Sequence, residues 1–234
     1  DATILVPLDL NGTEGTDPGN SDLPGRLGGG HGGHELKNGT DPWGPGGGPS
    51  NITNSSIFNS GGKPLAGMNG NAGLPSGEEP GGGGYGGRGG RSETNVGNGQ
   101  YLATPPGGQT YGDADITHIF GGSGGGGGNE RSGGTGGGGI KIVAGETLTI
   151  GGSIHAIGGK GGARPNEARR SGGSGSGGAI YLKGKHIVIR EGVNIKADGG
   201  DGATGINNGN TNSTDGIGGG AAAGGGGRIY MEAT

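Results

Sequence analysis

Unbroken runs of glycine decide most of what this chain can fold into. Gly124 to Gly128 and Gly136 to Gly139 are the densest, and 73 of the 234 residues are glycine, against a usual share of about 7%. Glycine adds no side chain to a core and loses more backbone freedom on ordering than any other residue. A thick two-layer core along the whole length is therefore excluded, the more so with 25% hydrophobic and 3% aromatic residues. Collagen is excluded too, because the glycines cluster and do not fall at every third position. Disorder throughout is not expected, since the net charge is only −4 and the large apolar residues gather between Ile140 and Ala197.

The same totals narrow the function classes. No apolar stretch approaches the roughly 18 residues of a membrane span, so none is expected. Without cysteine there is no disulfide and no thiolate chemistry. The weak net charge supplies none of the basic field that nucleic acid requires, so nucleic acid is not expected as a partner. Asp1 to Leu10 lacks the basic start and apolar core of a signal peptide, so for a secreted protein this is a mature or partial chain. Asn-x-Ser/Thr acceptors stand at Asn11, Asn38, Asn51, Asn54 and Asn212. Their density in the N-terminal region points to covalent N-glycans on a loop-rich surface, and to an extracellular or cell-surface location.

The chain divides into three regions. Residues 1–10 hold the only strand-like apolar run of the first half, with Ile4, Val6, Leu8 and Leu10 alternating and Pro7 confining the strand to an edge. Residues 11–80 are rich in Gly, Pro, Asn and Ser, a composition of turns and polyproline-II segments. Residues 81–234 carry repeated units. The segment from Ile140 to Ala156 aligns with that from Ile180 to Ala197, and a third copy starts at Ile229 and stops. Ile140, Ile180 and Ile229 correspond, at spacings of 40 and 49 residues. Each full copy has three short strand-like pieces followed by a long glycine-rich loop, and no window sustains a helical period.

Short strands recurring at that period predict an all-β fold, a parallel β-solenoid whose core is one side chain wide. Its inward row is Ile140, Ile142, Leu148, Ile150 and Ile154; a β-sandwich with glycine-rich loops is the alternative. The loops at 121–139, 158–178 and 199–227 are too long for turns. Either they are flexible coil, or they pack as polyglycine-II rods that satisfy each other's backbone groups; ordered bundling is expected.

The order of landmarks from Gly-Gly-Tyr85-Gly-Gly-Arg88, through Tyr111-Gly, Gly122-Ser-Gly-Gly and the Ile140 unit, to Ala179-Ile180 and Arg228-Ile229 resembles a glycine-rich repeat module. Such modules occur in large cell-surface and secreted proteins of plants, algae and other protists. The resemblance covers about residues 81–233 and implies an extracellular, non-enzymatic surface role; residues 1–80 lie outside it.

No catalytic, cofactor or metal site is expected. His31-Gly-Gly-His34-Glu35 has no rigid face for a zinc or copper ion. Asp198-Gly-Gly-Asp201 lacks the iteration of calcium-binding nonapeptide turns. His155 and His186 are expected to face solvent. Lys183, Lys185, Arg190 and Lys196 have no acidic cluster beside them for the chemistry of a β-helix polysaccharide lyase. Trp43 and Tyr85 are candidates for stacking on sugars, which would suit an adhesion or carbohydrate-binding module. The leading expectation is instead a structural, self-associating protein. The unfinished copy bearing Ile229 and Met231 leaves an open edge, and the strand of Ile4, Val6, Leu8 and Leu10 either covers that edge on the next subunit or pairs within its own chain.

Overall fold

The structure, a computed structural model, describes residues 1–15, 29–30, 82–90, 93–95, 101–103, 107–126, 133–162, 172–202 and 222–234. Among the described residues there is strand and no helix, and none is long and apolar enough to cross a membrane. The strands are β1 (Ala2–Ile4), β2 (Leu8–Asp9), β3 (Glu93–Asn95), β4 (Tyr101–Ala103), β5 (Gly139–Val143), β6 (Thr147–Ile150), β7 (Ile154–His155), β8 (Ala179–Gly184), β9 (His186–Ile189), β10 (Ile195–Lys196) and β11 (Arg228–Ala233). Nine of them form three parallel three-stranded sheets, ordered β1-β6-β9, β2-β7-β10 and β5-β8-β11; β3 and β4 pair antiparallel.

The repeat read from the sequence is the register of the sheets. Ile180 aligns with Ile140 on one side and with Ile229 on the other. The alternation of each strand then sends one set of side chains to a common core. Leu148 and Ile150 come from the first sheet, Ile154 with neighbouring Leu10 and Ala156 from the second, and Ile180 and Leu182 from the third. Ile140 and Ile142 pack partly buried against them, so the expected inward row is in place.

The third sheet is covered on both faces, a layer that the sequence pattern did not announce. On the side away from Ile180 and Leu182, Ala179 and Tyr181 pack with Tyr85, Tyr111 and Ile116, flanked by Ile119, Phe120 and Tyr230. The Tyr85 and Tyr111 rings lie 4.7 Å apart, those of Tyr181 and Tyr230 5.6 Å apart. Arg228 ties the cover down by donating to the Tyr111 carbonyl at 3.0 Å, with its guanidinium 5.6 Å from the Tyr85 ring. Ile116 is fully buried with φ at 50°, a conformation a β-branched residue adopts only when packing imposes it.

Glycine-rich segments run between the strands as extended, mutually bonded stretches. In the segment 172–178, Gly172, Gly175 and Gly178 donate to Gly162, Gly159 and Ala156, and Gly173 and Ser176 donate to Gly126 and Ser123. Ser174 and Gly177 complete the cycle by donating to Ala222 and Gly225, all seven bonds lying at 2.7–3.0 Å. Successive N–H groups therefore point in three directions with a period of three, the repeat of an extended left-handed helix. Carbonyls of the same segment accept from Gly83, Gly134, Gly137 and Gly200 at 2.9 Å. Buried serines stitch the segments further: the Ser174 hydroxyl donates to the Asp201 carbonyl at 2.5 Å, and Ser123 N–H donates to Ser176 Oγ at 2.8 Å.

The repeat extends into these segments. Gly138, Gly178 and Gly227 donate to Leu10, Ala156 and Ala197 at 2.8, 2.7 and 2.6 Å. Three residues earlier, Thr135, Gly175 and Gly224 donate to Thr13, Gly159 and Gly200 at 3.0, 2.8 and 2.9 Å. Each unit's incoming segment is laid on the outgoing segment of the unit before it.

Candidate functional site

Of the residues singled out for assembly, Ile4, Leu8, Ile229 and Met231 sit on the outermost strands. Ala2 to Ile4 of β1 aligns with Leu148 to Ile150, and Leu8 and Asp9 of β2 with Ile154 and His155. The N-terminal strand thus takes the intrachain one of its two expected placements. Among the described residues its far edge has no strand beside it. The run is also not one continuous strand. It breaks between Leu5 and Pro7, where the chain turns from the first sheet to the second, because Pro7 has no N–H for a ladder. Val6 is therefore a corner residue, 64% exposed, and not a member of an inward row with Ile4, Leu8 and Leu10; Leu10 is buried.

At the opposite end lie β9, β10 and β11. Ile229 and Met231 are aligned with Ile180 and Leu182, which faces them toward the core, yet they are 42% and 43% exposed. Among the described residues their layer contains β11 alone, with no strand of the first or second sheet to close over them. Ile189, aligned with buried Ile150, is 43% exposed for the same reason. Among the described residues the large exposed hydrophobics are Leu5, Val6, Val143, Val188, Ile189, Ile229 and Met231, all on terminal strands or at the β1–β2 corner.

Open edges carry backbone chemistry. His186 and Arg190 donate N–H groups to Glu146 and Ile150 at 3.1 and 2.9 Å. In a parallel ladder the alternate residues, Ile187 and Ile189, then direct theirs away from β6. Such a row templates a further strand.

Electrostatics around β11 hold that edge straight. Lys183 Nζ donates to Glu232 Oε1 at 2.5 Å, and the Tyr181 hydroxyl donates to Glu232 Oε2 at 2.6 Å. These bonds pull the Glu232 carboxyl below its ordinary pKa, and the bond to Glu232, with burial second, pushes the Tyr181 hydroxyl up to about 12. Burial raises Tyr111 as well, against its bond from Ser123. Lys141 lies 4.5 Å over the Tyr181 ring.

Other candidate residues separate cleanly. Asn11 is partly buried, its side-chain oxygen accepting from Ile157 N–H at 2.9 Å. Asn38, Asn51, Asn54, Asn212, His31, His34, Glu35 and Trp43 lie outside the described residues. Tyr85 is fully buried, which corrects its candidacy as a sugar platform: the ring faces Tyr111 and Arg228. His186 is exposed as expected, whereas His155 is only partly so, with Nε2 buried and unpartnered among the described residues. His155 is the middle member of an aligned trio with Asp9 and Lys196, and flanking strands cover it. Among the described residues no group of three His, Asp or Glu side chains gathers to hold a metal ion.

The described residues make an all-β arrangement dominated by parallel sheets, with open edges at β1 and β2 on one side and at β9, β10 and β11 on the other. The chain matches no family model, and no curated protein or solved structure proved similar to it.

Proposed function

We propose that this chain is a structural subunit of an extracellular or cell-surface fibre, N-glycosylated and non-enzymatic, that assembles head to tail through its strand edges. In this reading the three sheets are the faces of a parallel β-solenoid, and the glycine segments are polyglycine-II rods bundled at one corner. The observation that carries it is the placement of the large exposed apolar side chains on the terminal strands, the core-facing Ile229 and Met231 above all. Soluble monomers blunt such edges with charge, proline or a cover; here one end is apolar and the other bears an apolar corner. The acceptor asparagines and the resemblance of residues 81–233 to surface-protein repeat modules support the extracellular setting. Electron microscopy of the purified full chain over a concentration series tests the proposal. Unbranched filaments are expected, and a monodisperse monomer at every concentration would overturn it.

A further inference from the structure

We propose that copies of this chain stack by translation along the sheet axis, with β11 of one copy and β1 plus β2 of the next forming one shared three-sided layer. This deepens the fibre reading above and rests on it.

Counting strands by layer gives the reason. Two layers are complete, β5-β6-β7 and β8-β9-β10, each with one strand in each sheet. Among the described residues, β1 and β2 below them supply the first and second sheets but not the third, and β11 above them supplies the third alone. The two partial layers are complements. Merged, they leave each sheet with three strands per copy and no gap, and every junction stays parallel, as within the chain.

Continuing the observed registers fixes the partners. On the first sheet Ala2 and Ile4 of the next copy fall beside Ile187 and Ile189, and Thr3 beside Val188. On the second, Leu8 falls beside Ile195 and Asp9 beside Lys196, an opposite-charge pair. On the third, β11 receives β5, so Ile229 and Met231 meet Ile140 and Ile142. Ile4 and Leu8 of the next copy then close over Ile229 and Met231 as Ile150 and Ile154 close over the core within the chain. Lys141 of the next copy lies over Tyr230 as it does over Tyr181. One peripheral element must yield: Gly87 and Gly90 bond to Gly226 and Ala223 on the flank where Gly30 of the incoming copy, partner of Gly136, would lie.

Cysteine pairs test the register, since the chain has no cysteine of its own. Within one chain Thr3 and Val188 are separated by Thr149, two strand spacings or about 10 Å, too far for a disulfide. Across the joint they are neighbours. The full chain carrying Thr3→Cys and Val188→Cys is expected to give a ladder of oxidised multimers on a non-reducing gel. Each single variant is expected to stop at dimers, and Thr3→Cys with Arg190→Cys to lose most of the ladder. A second pair guards against misfolding: Asp9→Lys and Lys196→Asp each reduce filament yield several-fold, and together restore it. Diffraction from aligned filaments is expected at an axial repeat of about 14 Å, three spacings of ~4.8 Å. Filaments without the Thr3–Val188 ladder, or with an equal ladder from the shifted pair, overturn this joint and leave the fibre reading standing. Absence of both filaments and ladder overturns the two together.

Discussion

Replacing Gly175 by alanine is the sharpest probe of whether the glycine segments are packed or merely present. A Cβ built there would overlap the carbonyl oxygen and carbon of Thr135, where ordinary contact begins at 3.4 Å. The obstacle is backbone on both sides, so no side chain can swing away. Relief requires the segments to part, which endangers three bonds at 2.8–2.9 Å: Gly175 to Gly159, Gly200 to Gly175, and Gly159 to Thr135. At about 1 kcal/mol each, their loss costs roughly 3 kcal/mol. Alanine restricts the unfolded chain, a compensation of about 0.4–1 kcal/mol. The net loss is then about 2 kcal/mol, or roughly 4–8 °C in Tm for a chain of this size. Gly226→Ala is the matched control, because its Cβ would meet nothing within 4 Å, and neutrality or a gain of about 0.5 kcal/mol is expected. Urea and thermal unfolding of both variants decide the matter. If Gly175→Ala is as stable as Gly226→Ala, the bundle is not close-packed and the reasoning fails.

Amide exchange gives an independent check, with Gly173 to Gly178 exchanging far more slowly than an unstructured peptide; full-rate exchange from all of them would show that the bonds do not persist. Leu148→Ala empties a fully buried site shared by the three sheets and is expected to cost about 2–5 kcal/mol by denaturant unfolding. Stability should fall at both pH extremes. The Glu232 contribution is present above that carboxyl's unfolded pKa and is lost as pH drops through its lowered folded value, whereas that of Tyr181 is full below about 10 and lost as pH rises toward about 12. Glu232→Gln should bring the Tyr181 transition in a tyrosinate absorbance titration back toward its ordinary value; no movement would show that the carboxylate is not the cause. Expression in a glycosylating host should raise the chain mass by discrete steps that Asn11→Gln reduces by one, provided the Asn11 amide remains accessible to the transferase; an unchanged pattern would remove Asn11 from the glycan set.

Local alternation was enough to find the repeat. Ile140, Ile180 and Ile229 share one register because each follows a glycine run and opens an alternating strand, and a parallel ladder converts such similarity directly into alignment. The edge character of the N-terminal run followed from Pro7, but not the break at Val6, since a corner between sheets shifts the period by an amount that no single segment encodes. The aromatic cover was hidden for another reason. Tyr85, Tyr111, Ile116 and Phe120 are isolated apolar residues in glycine-rich sequence, and only contacts with Tyr181 and Tyr230 far along the chain turn them into a core. His155 was misjudged because alternation assigns a face, while the strands on either side decide exposure. At the candidate site, the unfinished copy announced an open edge at β11. That β11 extends one sheet at one end while β1 and β2 extend the other two at the opposite end is a property of topology, legible only once the sheets are assembled.

The three-way bonding of residues 172–178 also governs when the protein can fold. Their partners are drawn from Gly83 at one extreme and Arg228 at the other. A growing chain that has only reached Gly178 has made nothing for Ser174 and Gly177 to bond to, and any bundle formed then leaves those two donors in water. Loop-closure entropy must be met before these distant contacts return anything, so folding is expected to be slow and to complete late in synthesis. The reverse passage faces a matching barrier, because no segment can leave without releasing neighbours on several sides. Once closed, the bundle should persist through the height of its unfolding barrier and not through depth of core.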